Sequence, residues 1–287
     1  MKKITVIGSL NIDHYHFVRE LPRPGETVPA SSMQTSRGGK GANQAVAAAR
    51  SGATVSMIAM TGADHAGEEY IAALQAEGID TAGISMDPST PTGSAFITVD
   101  SRGENSIVVN AGANAMLTPG LLETHRHLIT SADALLLQFE SPMETVIRAT
   151  EIAAEAGVPV FLNPSPMPDG IPWDRLRVST VIANETESAR LPAGLNARII
   201  VTRGPGPTSL RDAGNTIEVP AFPVSPVDTV GAGDTFAGAV ATALTEGMVA
   251  MEAIRFANAA GALATLAAGA QEAIPDRPGI VAFLERL

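Results

Sequence analysis

The chain has 287 residues, 45% of them hydrophobic and 17% charged, with 30 acidic against 19 basic side chains and a net charge of −11. That composition supplies a large core and excludes global disorder, and so acidic a surface disfavours general nucleic-acid binding because it repels a phosphate backbone. Cysteine is absent, which removes disulfides, thiolate nucleophiles, Fe–S clusters and Cys-ligated zinc. The first residues, Met-Lys-Lys-Ile-Thr-Val-Ile-Gly, pass straight into a strand pattern. The longest apolar runs, at 134–137 and 262–268, fall short of the ~20 residues a membrane span needs. A soluble, cytoplasmic protein is the expectation.

In chain order, the pattern predicts a strand at 4–7, a helix at 42–51, a strand at 54–59 and helices at 68–77 and 119–130. A strand at 134–137, a helix at 142–156, strands at 158–162, 180–183 and 199–202, and a helix at 234–245 follow. The strand runs are apolar without alternation, as in a sheet covered on both faces, and the helical runs end near glycines. Such alternation predicts the α/β class: a doubly wound, mostly parallel sheet flanked by helices. Segments 14–35 and 92–110 break the rhythm. The first alternates in a β manner around Pro22, Pro24 and Gly25, and the second reads as a hairpin with its turn at 100–105. Together they predict a small β lid inserted into one domain spanning 1–287, since neither repeat nor linker divides the chain. An exposed two-stranded projection is marginal alone, so a homodimer built through the lids is expected.

Four segments carry candidate chemistry. In Asp228-Thr229-Val230-Gly231-Ala232-Gly233-Asp234, the glycines allow a sharp turn, and the first free N–H groups of the following helix converge on one spot, which is an anion site. Asp234 at its mouth reads equally as a helix N-cap or as a base beside a transferring phosphoryl group. Ser36-Arg37-Gly38-Gly39-Lys40-Gly41-Ala42-Asn43-Gln44 permits close backbone approach to a ligand, and Asn43 can donate to and accept from vicinal hydroxyls. It is not a P-loop, because Gly41 follows Lys40, and no dinucleotide fingerprint occurs. Asn11 and Asp13 follow the first strand on alternate positions, facing one way for polyol recognition, or closing the strand in an Asx turn. Asn184 and Glu187 lie three apart after a strand, placed to hold the water shell of Mg²⁺ or to start a helix. The histidine pairs, 14/16 and 125/127, do not suggest a shared metal, and a Ser-His-Asp hydrolase lacks its elbow motif.

Read in order, these segments resemble the ribokinase-like (PfkB) family of carbohydrate kinases, and its ribokinase branch in particular. Gly39-Lys40-Gly41-Ala42-Asn43-Gln44 resembles the N-terminal signature of the family and Asp228 to Asp234 its C-terminal one. The resemblance implies an ATP-dependent sugar kinase transferring the γ-phosphoryl group to a sugar hydroxyl, with the 5-hydroxyl of D-ribose as the first choice. The alternatives are another acceptor (a ketohexose, a nucleoside or a deoxy sugar acid) or a non-catalytic sugar-binding regulatory protein. It implies that Asp234 takes the proton of the attacking hydroxyl, while the amides of Gly231, Ala232 and Gly233 form the anion hole. Sugar contacts are implied from Asn11, Asp13, Gly39, Lys40, Asn43 and Glu140. On the nucleotide and Mg²⁺ side it implies Asn184, Glu187, Thr202, Gly204 and Asn258, with Asn163 near the phosphates. A monovalent cation, K⁺, would sit at Asp228 and the carbonyls of Val230, Ala264 and Gly269. Two departures fall on the nucleotide side, a short 188–198 segment and Pro205-Gly206-Pro207, and Glu272-Ala273 stands where a hydroxyl residue often lines the cation site.

Overall fold

The computed structural model describes residues 1–286. Its main sheet has nine strands in the order β13-β12-β11-β10-β9-β8-β1-β4-β5. In chain order these are β1 (Lys3–Ile7), β4 (Thr54–Gly62), β5 (Asp80–Asp87), β8 (Ala134–Leu137), β9 (Val160–Leu162), β10 (Thr180–Asn184), β11 (Arg198–Arg203), β12 (Gly206–Asp212) and β13 (Asn215–Val219). Strands β5 to β11 of that order pair in parallel, and only β12 is reversed, pairing antiparallel with both β11 and β13. Strand alternation divides the core in two. Ile4, Val6, Val55, Met57, Ala134 and Leu136 point into one apolar cluster, while Ile7, Ile58, Met60, Leu135 and Leu137 point into the other.

The first cluster lies under α1 (Lys40–Arg50), α2 (His65–Ala76), α7 (Ala232–Thr245), α8 (Ala250–Ala264) and α9 (Arg277–Glu285). The second lies under α3 (Pro119–Thr124), α4 (Arg126–Thr130) and α5 (Met143–Glu155). A single turn, α6 (Glu185–Ser188), follows β10. The predicted helix at 119–130 is two helices, because His125 leaves helical geometry at φ −109° and ψ 14°. Unpredicted strands β5, β12 and β13 are edge or near-edge elements with mixed polar sequences, and the unpredicted α8 starts without a side-chain cap. None of the helices among the described residues is long and apolar enough to cross a membrane.

A second sheet of four strands stands apart, in the order β3-β2-β6-β7. It is formed by β2 (Asn11–Phe17), β3 (Ser32–Gly38), β6 (Gly93–Val99) and β7 (Asn105–Asn110), so both predicted lid segments contribute strands. The prolines of the first segment lie in the loop between β2 and β3. Asn11 opens β2 opposite Gly38 of β3 and Gly93 of β6, so this sheet starts where β1 ends. Its edge strand β7 carries Ile107, Val108 and Val109, all exposed, beside exposed Phe96 of β6, while exposed Met33 lies on the opposite edge strand β3.

Candidate active site between the sheets

Helix α7 begins with Gly231 as its N-cap in the left-handed region at φ 75°. Asp234 is therefore inside the first turn and caps nothing. The Ala232 N–H turns back to the Thr229 carbonyl (3.3 Å) and that of Thr235 bonds Gly231 (2.8 Å), which leaves the N–H groups of Gly233 and Asp234 open. A Cβ at Gly233 would meet nothing within 4 Å. Small residues bring α1 against this turn: Gly238, one turn after Asp234, has room for no Cβ, which would sit 2.6 Å from both the Ala47 Cβ and the Gln44 carbonyl oxygen. The close approach sets Asn43 and Gln44 beside Asp234. Asn43 Nδ2 donates to Asp234 Oδ2 at 3.0 Å, and Gln44 Nε2 donates to Oδ1 at 2.9 Å.

In front of Asp234 opens a cavity of about 230 Å³. Lys40, Asn163, Asn184, Glu187, Thr202, Gly231 and Gly233 line it with Asp234, so eight predicted residues from five separate stretches of the chain meet in one place; Ser165 and Thr229 join them. The Lys40 ammonium is held above its ordinary range, chiefly by Asp234, with burial opposing and Glu140 and Glu187 assisting. Asn184 and Glu187 form a capping box on α6: Glu187 N–H donates to Asn184 Oδ1 (2.8 Å), and Asn184 N–H donates to Glu187 Oε2 (3.0 Å). The second Glu187 oxygen has no partner among the described residues. Gly204, at φ 54°, turns β11 into β12 and does not line the cavity. Asn258 is committed elsewhere, accepting from Thr208 Oγ1 (2.7 Å) and donating to the Pro220 carbonyl (3.0 Å).

A second group of polar side chains lies between β2 and the start of α1. Gly39 takes φ 88° to start α1, and a Cβ there would stand 2.9 Å from the Asn11 nitrogen. Glu140 Oε2 accepts the Lys40 N–H (2.9 Å) and the Ser9 hydroxyl at the mouth of α1, where the helix dipole favours an acid. Asn11 is buried and its Oδ1 accepts from Asn114 Nδ2 (2.8 Å), while Asn114 also exchanges two bonds with the Leu10 backbone (2.9 and 3.0 Å). Asp13 has no hydrogen-bond partner among the described residues. Burial, then Glu140, Glu272 and Asp234, push its carboxyl from 3.8 up to about 7. A ligand rich in hydroxyl groups would supply the missing donors.

Asp228 ties the anion loop to the loop after α8: its Oδ1 accepts the Val230 N–H and its Oδ2 the Gly269 N–H, both at 3.0 Å. Ala264 is the last residue of α8, and Gly269 takes φ 96°. Sequence reasoning gave no role to Gln44, Tyr70, Asn114, Gln138 or Gln271, all buried and all bonded toward the residues above. Their only signal was a buried-type setting for amide side chains, which becomes meaningful once the helices are packed.

The chain is similar to known proteins over nearly its whole length. The pfkB family carbohydrate kinase model matches residues 1–277. A ribokinase of Haemophilus influenzae is 38% identical over 305 aligned positions, covering 99% of both chains. One of Bacillus subtilis is 38% identical, covering 96% of this chain and 97% of its own. Among solved structures, Arabidopsis thaliana ribokinase complexed with ribose and ATP superposes with a TM-score of 0.92 at 32% identity, covering 99% of each chain. The chain belongs to the pfkB family of carbohydrate kinases.

Proposed function

We propose that this protein is an ATP-dependent ribokinase that phosphorylates the 5-hydroxyl of D-ribose. The observation that carries the proposal is the meeting of Asp234, the open N–H groups at the start of α7 and the Lys40 ammonium in one cavity. Phosphoryl transfer demands positioning and charge stabilisation above all. The N–H groups of Gly233 and Asp234 and the Lys40 ammonium offset charge gathering on the transferred group. Asp234 orients the sugar hydroxyl and accepts its proton late, as suits a loose transition state. Asp13, Asn11, Asn43 and Glu140 belong to the sugar side, where the unpartnered Asp13 carboxylate and the free Glu140 oxygen await hydroxyl donors. The similarity to ribokinases, one of them solved with ribose and ATP, favours ribose over other acceptors.

Mg²⁺ fits the uncommitted Glu187 oxygen, reached through water as this hard ion prefers, and would neutralise phosphate charge. K⁺ fits the all-oxygen set of Asp228 and the carbonyls of Val230, Ala264 and Gly269. Closure of the small sheet over the sugar would exclude water, a competing acceptor. The exposed apolar strip on β7, with the neighbouring Phe96, supports a homodimer joined through these sheets. A cytoplasmic setting accords with ATP as donor. The test is ATP turnover with ribose, fructose, adenosine and 2-keto-3-deoxygluconate: ribose should give the highest kcat/KM. A higher value for another acceptor would reassign the substrate, and binding of sugar without turnover would favour a regulatory protein.

A further inference from the structure

We propose that Gln44 is a positioning residue for Asp234, an inference that rests on the kinase reading above. Gln44 is fully buried in α1, yet every polar atom of its side chain is used. Its Nε2 donates to Asp234 Oδ1 (2.9 Å) and to Asn163 Oδ1 (3.0 Å), while its Oε1 accepts from Gln138 Nε2 (2.6 Å). Gln138, equally buried, ends the chain: its own Oε1 has no partner. On the other side Asn43 donates to Asp234 Oδ2 and accepts from Gln271 Nε2 (3.1 Å). Gln271 donates also to the Tyr70 oxygen (2.6 Å), and Tyr70 donates to the Gly38 carbonyl (2.6 Å).

The polarity of this network has one solution. Turning the Gln44 amide over would set its carbonyl against a carboxylate and its NH₂ against the NH₂ of Gln138. Gln138, whose opposite end bonds nothing, serves only to fix that orientation. A core selected for stability alone would be apolar here, since a partly satisfied polar network is costly. Instead, the Asn43 and Gln44 amides each aim a donor at one Asp234 oxygen. Two charge-assisted bonds, one on each oxygen, stop the carboxylate rotating and leave its remaining lone pairs facing the cavity. Asn43 has a place in the sugar site, so Gln44 is the member of the pair whose work is confined to Asp234 and Asn163.

The test is a double-mutant cycle between Gln44→Met and Asp234→Asn, read in kcat, in the two KM values and in the melting temperature. Gln44→Met keeps the side-chain length and removes both donors. The expected result is a kcat lower by about tenfold to a hundredfold, the scale of a misplaced reacting group, with both KM values within about twofold. In the Asp234→Asn background the same change should cost no further kcat, because the group it positions is gone. Equal kcat losses in both backgrounds, or an unchanged kcat in the first, overturn the proposal. If Asp234→Asn itself retains full turnover, the kinase mechanism falls, a result separable from failure at Gln44. Should Gln44→Met not fold, Gln138→Leu replaces it: both donors on Asp234 stay and only their orientation loosens. Its kcat should fall by about threefold to tenfold, and an unchanged kcat overturns the proposal.

Discussion

Asp13→Asn separates the two consequences of a carboxylate kept under-solvated for a ligand. With its carboxyl pushed from 3.8 up to about 7 by burial and by Glu140, Glu272 and Asp234, Asp13 binds a proton more tightly in the folded chain than in the unfolded one. The contribution of Asp13 is therefore intact below pH 3.8, declines as pH rises and is fully lost above about 7. Each pH unit of that displacement is worth about 1.4 kcal/mol, a ceiling of about 4 kcal/mol, and solvent in the cleft reduces it to about 2 kcal/mol. Removing the charge at equal size should then stabilise the sugar-free protein by about 2 kcal/mol at pH 8, a rise of a few degrees in Tm. The gain should shrink steadily toward pH 4. Ribose KM should move the opposite way, rising by at least tenfold, with ATP KM unchanged. In the native enzyme, ribose affinity should fall as pH drops below about 7, since hydroxyl donors favour the ionised carboxylate. Thermal melts of both proteins at pH 8 and pH 4.5 decide the matter. A variant less stable than the native chain at pH 8, or a difference that does not depend on pH, would refute the reasoning.

Gly238→Ala places a methyl 2.6 Å from the Ala47 Cβ, so α1 must move off α7, with a stability loss of about 1–3 kcal/mol and a matching fall in kcat; an unchanged melting curve would show that the helices have slack. Asn114→Ala strips the bonds to Leu10 and Asn11, at about 1–3 kcal/mol, and should raise ribose KM while sparing ATP KM in steady-state assays. Val108→Glu puts a charge on the apolar strip of β7, and light scattering should report a dimer for the native chain and a monomer for the variant; a native monomer at micromolar concentration would remove the proposed interface.

Much of this fold is legible in the sequence because its central strands are buried on both faces. β1 and β8 read as plain apolar runs for that reason, whereas β5, at an edge, carries Asp80, Ser85 and Asp87 and gives no such signal. The hairpin of β12 and β13 escaped notice likewise, its residues being mostly polar. Helix α8 lacks a capping side chain at Val249, so its start is set by packing rather than by a local stop signal. At the site, local rules misread Asp234 as a cap candidate, because two glycines precede it and only the backbone shows that Gly231 takes the cap. For Asn184 and Glu187 the structural reading holds, and the ion-binding reading survives only through one free oxygen. Gln44 and Asn114 were illegible for a different reason: their partners lie 190 and 104 positions away, and no spacing rule spans such distances.

The central claim, that Asp234 serves ATP-dependent phosphorylation of ribose, is tested most directly by the kcat of Asp234→Asn measured together with its ribose and ATP dissociation constants. Asparagine offers one acceptor to the two amide donors of Asn43 and Gln44, so a stability loss of about 1–2 kcal/mol is expected, with the fold and both ligands retained. The account predicts a fall in kcat on the order of 10²–10⁴, the usual worth of a positioned general base. A variant that binds both ligands and turns over ribose at the native rate would contradict it.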